Sequence, residues 1–224
     1  MTPFDPAHTA LLLIDVQQGF DAIAATGMPR NNPEALDCIA SLLAAFRASQ
    51  TRIIHVHHAS TEPASVFRPD ALGYSAMPAA RPLEDETMIV KEVNSAFIGT
   101  GLETHLRAEN IRTLVIAGAT TNHCVETTVR MAGNLGFDTR LVEDACWTFD
   151  RTGPDGRLHK AADIHAMTLA NMSGEFAEIV SAGEVAGLLV RSGSLADFLL
   201  NSPLRGSGID LERVHSQPRE IDFE

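Results

Sequence analysis

Short apolar runs recur at residues 9–15, 51–57, 87–90, 112–117, 138–142 and 176–180, and this alternation with helical patterns constrains the fold more than any other feature. The helical patterns fall at 33–48, 99–108, 122–135, 158–171 and 182–190. Strands alternating with helices form βαβ units, in which parallel strands are joined by helices on the faces of the sheet. The expectation is an α/β chain: a three-layer, doubly wound fold on a mostly parallel, six-stranded sheet. Asn32-Pro33 offers an N-cap followed by proline at the first helical position, and Gly136 stands where the helix beginning near 122 should end.

The ends of these runs carry the chemistry. Asp15 closes Ala10-Leu-Leu-Leu-Ile14, and Lys91 closes Thr87-Met-Ile-Val90. A charge at the end of a buried strand is costly without a partner or a task. Cys124 follows the break of Thr113-Leu-Val-Ile-Ala117 at Gly118 and opens a helical segment. A thiol at a helix N-terminus faces unpaired N–H groups and the positive end of the backbone dipole, which lower its pKa and hold a developing oxyanion. In an open parallel sheet, ligands bind outside the carboxyl ends of the strands where strand order reverses, so Asp15, Lys91 and Cys124 are expected to converge there.

With 224 residues, 45% of them hydrophobic, the chain can bury a sizeable core in one domain with or without a tail. A formal charge of −12 provides no basic stripe for a phosphate backbone, so nucleic acid is excluded as a partner. No run reaches the roughly 20 apolar residues that span a bilayer, and Met1-Thr-Pro-Phe-Asp5 lacks the features of a secretion signal, so no membrane partner and a cytoplasmic location are expected. Three cysteines, Cys38, Cys124 and Cys146, make an odd number in a core-rich chain, which argues against a disulfide framework.

Leu13-Ile-Asp15-Val-Gln-Gln-Gly-Phe20, Lys91-Glu-Val-Asn-Ser-Ala-Phe97, Ala117-Gly-Ala-Thr-Thr-Asn-His-Cys124-Val125 and Val142-Glu-Asp-Ala-Cys146 resemble the motifs of the isochorismatase-like cysteine hydrolases. The resemblance spans residues 8–190 or so, and motifs in the right order are far more specific than any one of them. It implies a catalytic triad of Asp15, Lys91 and Cys124, and hydrolysis of a small amide, ureido or carbamoyl compound through a thioester. It also implies an oxyanion hole formed by the N–H groups of Thr120 and Cys124, with a cis peptide between Ala119 and Thr120. Relatives that cleave the vinyl ether of isochorismate lack the cysteine, so Cys124 points to the amidase branch. The family's usual state makes a homo-oligomer the expectation.

Phe20, Asn94, Phe97 and Trp147 stand beside motif residues and are the candidate walls for a small-molecule substrate. His123 and Glu126 flank the nucleophile and read as solvated side chains at a helix start. His55-Val-His57-His58 is the one metal-like cluster, yet no Asp stands two residues before any of these histidines, as it would in the nicotinamidases. No metal and no cofactor are therefore assigned. The Pro-rich segment 59–86 reads as a loop covering the site. Residues 1–190 form the expected hydrolase domain, and 191–224 an extension whose Leu195-Ala-Asp-Phe-Leu-Leu200 stripe suits a subunit interface. Three readings compete with the amidase: an isochorismate-type vinyl-ether hydrolase, a nicotinamidase-like deamidase, and a non-catalytic binding protein on the same fold.

Overall fold

The structure, a computed structural model, describes residues 4–190; the expected C-terminal extension lies outside the described residues. In chain order the strands are β1 (Thr9–Ile14), β2 (Arg52–His58), β3 (Thr87–Lys91), β4 (Thr113–Ala119), β5 (Asp138–Trp147), β6 (Arg151–Thr152), β7 (Leu158–His159) and β8 (Glu178–Val180). The α-helices are α1 (Gly19–Ala25), α2 (Ala35–Ala48), α3 (Leu102–Ala108), α4 (Glu126–Asn134), α5 (Ala161–Met172) and α6 (Ala182–Val190). Six strands form one sheet in the order β3-β2-β1-β4-β5-β8, with parallel pairing throughout. The expected α/β class, sheet and strand number are all present. Among the described residues, no helix is long and apolar enough to cross a membrane.

Every residue of β1 is buried, which is why Thr9–Ile14 is almost continuously apolar: helices cover both faces of this central strand. α2 and α6 pack together on one face, α4 and α5 on the other. In α2 the buried residues Ala35, Ile39, Leu42, Leu43 and Phe46 repeat at helical spacing and supply the stripe that meets the sheet. At the edge, β3 alternates instead, with Met88 and Val90 exposed.

Strand order reverses between β1 and β4. β2 and β3 are added on one side of β1, and the chain then crosses back to place β4 on the other. The crevice at the carboxyl ends of β1 and β4 is therefore where a ligand site is expected.

Local differences from the sequence reading have identifiable causes. Asn32 does not cap α2: it adopts φ 46, and its side-chain amide donates to Glu143 O (2.9 Å) and Cys146 O (2.7 Å), tying the chain to β5. α1 was not expected, because a seven-residue helix opening on glycine with no side-chain cap leaves little signal. β5 runs on to Trp147 past an irregularity in its pairing with β4, and β7 of the β6–β7 hairpin occupies the first two residues of the helix expected over 158–171. Gly136, at φ 83, follows the end of α4 as its position implied.

Candidate active site

Directly after β1 the chain turns at Asp15 with φ 51, while the Asp15 N–H still donates to Val56 O (2.8 Å) and keeps the turn on the sheet. The Asp15 side chain is 2% exposed. Lys91 ends β3 in register with His58, and its Nζ donates to Asp15 Oδ2 at 2.7 Å. Both members of this ion pair are buried, so each would be expensive without the other. The other carboxylate oxygen, Oδ1, is buried with no hydrogen-bond partner.

The third residue arrives from β4. Gly118 adopts φ 125, and a Cβ there would lie 2.1 Å from Ile14 O, so only glycine lets β4 pass this close to the end of β1. The following peptide, Ala119–Thr120, is cis. Thr120 O then accepts the N–H groups of His123 (3.0 Å) and Val125 (3.3 Å), and Thr121–Val125 form a π-helical turn that leads into α4. The Cys124 thiol leaves this turn at 3.7 Å from Asn94 Oδ1, toward which it donates.

Electrostatics here differ from the sequence expectation of a lowered thiol pKa. Burial, then the Asp15 carboxylate, pushes Cys124 up to about 12, against the opposing pull of Lys91. Desolvation also raises Asp15 above the ordinary aspartate value, although Lys91 and the thiol favour its anion. Cys124 therefore rests as a neutral thiol beside a carboxylate, not as a preformed thiolate.

A cavity of about 630 Å³ opens over these groups, lined by Asp15, Thr120 and Cys124 at the reactive end and by Phe20, Phe67 and Phe149 among its walls. Phe20 and Asn94 line it as expected from the sequence. Phe97 and Trp147 do not, and both assignments are corrected. Phe97 stacks on Phe137 with ring centroids 6.0 Å apart, and Trp147 is wholly buried, edge-on to Phe20 at 5.9 Å. Each stands beside motif residues, but Trp147 turns into the core and Phe97, partly buried, packs against it. Trp147 supports the wall instead of forming it.

Residues 9–184 match the model of the isochorismatase domain. The chain belongs to the isochorismatase family. The uncharacterised isochorismatase family protein YrdC of Bacillus subtilis (strain 168) is 39% identical over 183 residues, covering 82% of this chain and 97% of that protein. A crystal structure of an isochorismatase-family protein from Chromobacterium violaceum superposes with a TM-score of 0.80 at 45% identity, covering 85% of this chain and 99% of that one. The ureidoacrylate amidohydrolase RutB of Agrobacterium fabrum is 24% identical over 232 residues, covering 86% of this chain and 94% of that enzyme.

In this isochorismatase-family hydrolase, several cavity residues carried no usable signal in the sequence. His58, Phe67, His123, Phe149 and Arg151 all line the cavity. The sequence places His123 as a solvated side chain at a helix start, whereas its ring lies between Thr120 Oγ1 (3.3 Å) and Arg151 Nη1 (3.1 Å). Glu126 pairs with Arg130 on the surface of α4 and does not line the cavity. Phe67 comes from the long loop, which is anchored to the turn after β1 by Gln18 N–H to Ser75 O (2.9 Å) and Met77 N–H to Val16 O (2.9 Å). Only the pattern of apolar residues in that loop could have suggested a wall, and it does not say which one.

The histidine cluster of the isochorismatase-family chain is dispersed by strand geometry. His55 bonds Glu86 Oε2 (2.9 Å) near the start of β3, and His57 lies edge-on to Tyr74 with its pKa pushed down to about 4 by burial. His58 faces the cavity and is held below the ordinary histidine value, first by burial and then by Lys91. Among the described residues, no group of three or more His, Cys, Asp or Glu side chains is arranged to hold a metal ion.

Proposed function

We propose that this chain hydrolyses a carbon–nitrogen bond of a small amide or ureido compound, with Cys124 as nucleophile, Asp15 as proton carrier and Lys91 as the partner that keeps Asp15 ionised. The observation that carries this reading is the pairing at the cavity floor: Lys91 occupies one oxygen of Asp15, and no hydrogen-bond partner occupies the other, beside the Cys124 thiol. A neutral thiol is a weak nucleophile, and an amine a poor leaving group. One carboxylate answers both. As sulfur bonds to the substrate carbonyl carbon, the thiol proton passes to Asp15, and negative charge moves to the carbonyl oxygen. The N–H groups of Thr120 and Cys124 are the donors assigned to it. Collapse of this intermediate breaks the C–N bond, and the departing nitrogen takes the proton from Asp15. Asp15 then removes a proton from water as the water oxygen attacks the thioester carbon. The C–S bond breaks, an acid is released, and the proton returns to sulfur.

The relationship to RutB, whose name states an amidohydrolase activity on ureidoacrylate, supports a C–N bond as the target. The vinyl-ether reading needs only an acid at Asp15 and leaves Cys124 idle. Ammonia release over a panel of carboxamides, ureides and carbamoyl amino acids tests the proposal. At least one class is expected to release ammonia with wild type and none with Cys124→Ala. Equal release by both proteins would overturn the proposal.

A further inference from the structure

Among the described residues, charge balance around the cavity leaves the Arg151 guanidinium without an ion-pair partner. At the floor, Asp15 and Lys91 neutralise each other. At the mouth, the Asp150 carboxylate accepts Lys160 Nζ (2.9 Å) and the Ala161 N–H (2.8 Å), which holds it against the start of α5. Arg151 is next in sequence and lines the same cavity; its exposed side chain has only His123 as a hydrogen-bond partner among the described residues.

That partner fixes a direction. A guanidinium only donates, so His123 Nε2 accepts from Arg151 Nη1 at 3.1 Å, and the ring proton sits on Nδ1. Nδ1 is 3.3 Å from Thr120 Oγ1 and donates to it, leaving the Thr120 hydroxyl proton free to turn toward a ligand. Burial, and then Arg151, hold His123 below the ordinary histidine pKa, consistent with this neutral tautomer. The relay places Arg151 one imidazole away from the turn that carries Cys124. The same cavity has an apolar part to its lining, formed by Phe20, Ile23, Met28, Phe67 and Phe149.

We infer that the substrate carries a carboxylate, separated from its scissile C–N bond by a short apolar body, and that Arg151 receives this carboxylate. The inference rests on the hydrolytic reading above and adds the substrate's charge to it. The remaining guanidinium donors form the planar fork that matches a carboxylate, which accepts two of them at once and also neutralises the charge, as a neutral acceptor does not.

The test does not require the substrate. Iodoacetamide alkylation of Cys124 is timed in the presence of phenylacetate, phenethyl alcohol or phenethylamine, three ligands with one apolar ring and different charge. Phenylacetate is expected to protect at a concentration at least about tenfold below that of the alcohol, and the amine not to protect. In Arg151→Met the advantage of the carboxylate should fall to about twofold or less, and in Arg151→Lys part of it should return. Equal protection by acid and alcohol, better protection by the amine, no protection by any of them, or an unchanged preference in Arg151→Met would overturn the inference. Ammonia release from neutral carboxamides tests the hydrolytic reading separately. An active enzyme without carboxylate preference would fail this inference alone.

Discussion

Burial raises both Asp15 and Cys124, each also acts on the other's ionisation, and a single substitution on either side separates the roles proposed for them. Cys124→Ala is expected to fold normally and retain less than about one per cent of wild-type turnover, because Cys124 supplies the only thiol among the described residues that line the cavity. Asp15→Asn keeps the shape but removes the proton acceptor, so turnover should fall about as far while iodoacetamide labels Cys124 more slowly. Equal labelling and equal turnover would remove Asp15 from the chemistry. The raised pKa of Asp15 fixes the pH response: the carboxylate must be ionised to accept the thiol proton, so activity is lost as pH falls through a value above the usual 3.8. Because Cys124 is pushed up to about 12, the rate should level off rather than climb through the range of ordinary thiol ionisation. A rate that climbs tenfold per pH unit between about 8 and 10 would indicate a thiolate mechanism instead. At this scale Asp15, Lys91 and Cys124 were legible as candidates because charges and a thiol at strand ends stand out against apolar runs. The direction of the Cys124 shift was not, because sequence reports the helix but not how much water the fold excludes from sulfur.

The elements hold the site through close approach and anchored loops. Gly118 is where β4 touches the end of β1, so Gly118→Ala meets both a backbone clash with Ile14 O and an unfavourable φ. A loss of roughly 3 kcal/mol in unfolding free energy is expected, measured by denaturant titration. At the far end of the 59–86 loop, Glu86 is held by Arg47 Nε (2.7 Å), His55 Nε2 (2.9 Å) and the Leu83 N–H (2.8 Å). Burial alone would raise its pKa; these donors outweigh burial and bring it down to about 2 from 4.5. The folded carboxyl thus binds its proton less readily than the unfolded one. The stability it contributes is complete above the ordinary value and is lost as pH falls from about 4.5 toward 2. Glu86→Gln should cost about 2 kcal/mol at neutral pH and should flatten the acid-induced loss of stability in that window. An unchanged acid titration would mean that the loop is anchored elsewhere. None of this network was legible beforehand: it joins α2, β2 and the loop's last residues, and no local pattern links such distant positions. α1 and the β6–β7 hairpin were missed because they are short, while the long periodic α2 and the apolar strands were readable.

For the molecule as a whole, the order β3-β2-β1-β4-β5-β8 explains why residues as far apart in sequence as Asp15, Lys91 and Cys124 meet. Winding outward from β1 in both directions puts the ends of β1 and β4 side by side at the reversal, and β3 is close enough for Lys91 to reach Asp15. The alternation of strands and helices made this topology legible, and with it the location of the site. The cavity's walls were only half legible, since Phe20 and Asn94 line it whereas Trp147 is buried in the core and Phe97 packs against it. Facing depends on register, and register is decided by packing across the sheet. The central claim is covalent catalysis by Cys124. Its most direct test is intact-protein mass spectrometry of enzyme quenched in acid during turnover of whichever amide or ureide releases ammonia, followed by peptide mapping. The expected result is a mass increase equal to the substrate's acyl or carbamoyl portion, located on Cys124, absent from Cys124→Ala and discharged by hydroxylamine. Product formation by the wild-type enzyme with no adduct under any quench time, together with turnover retained in Cys124→Ala, would contradict it.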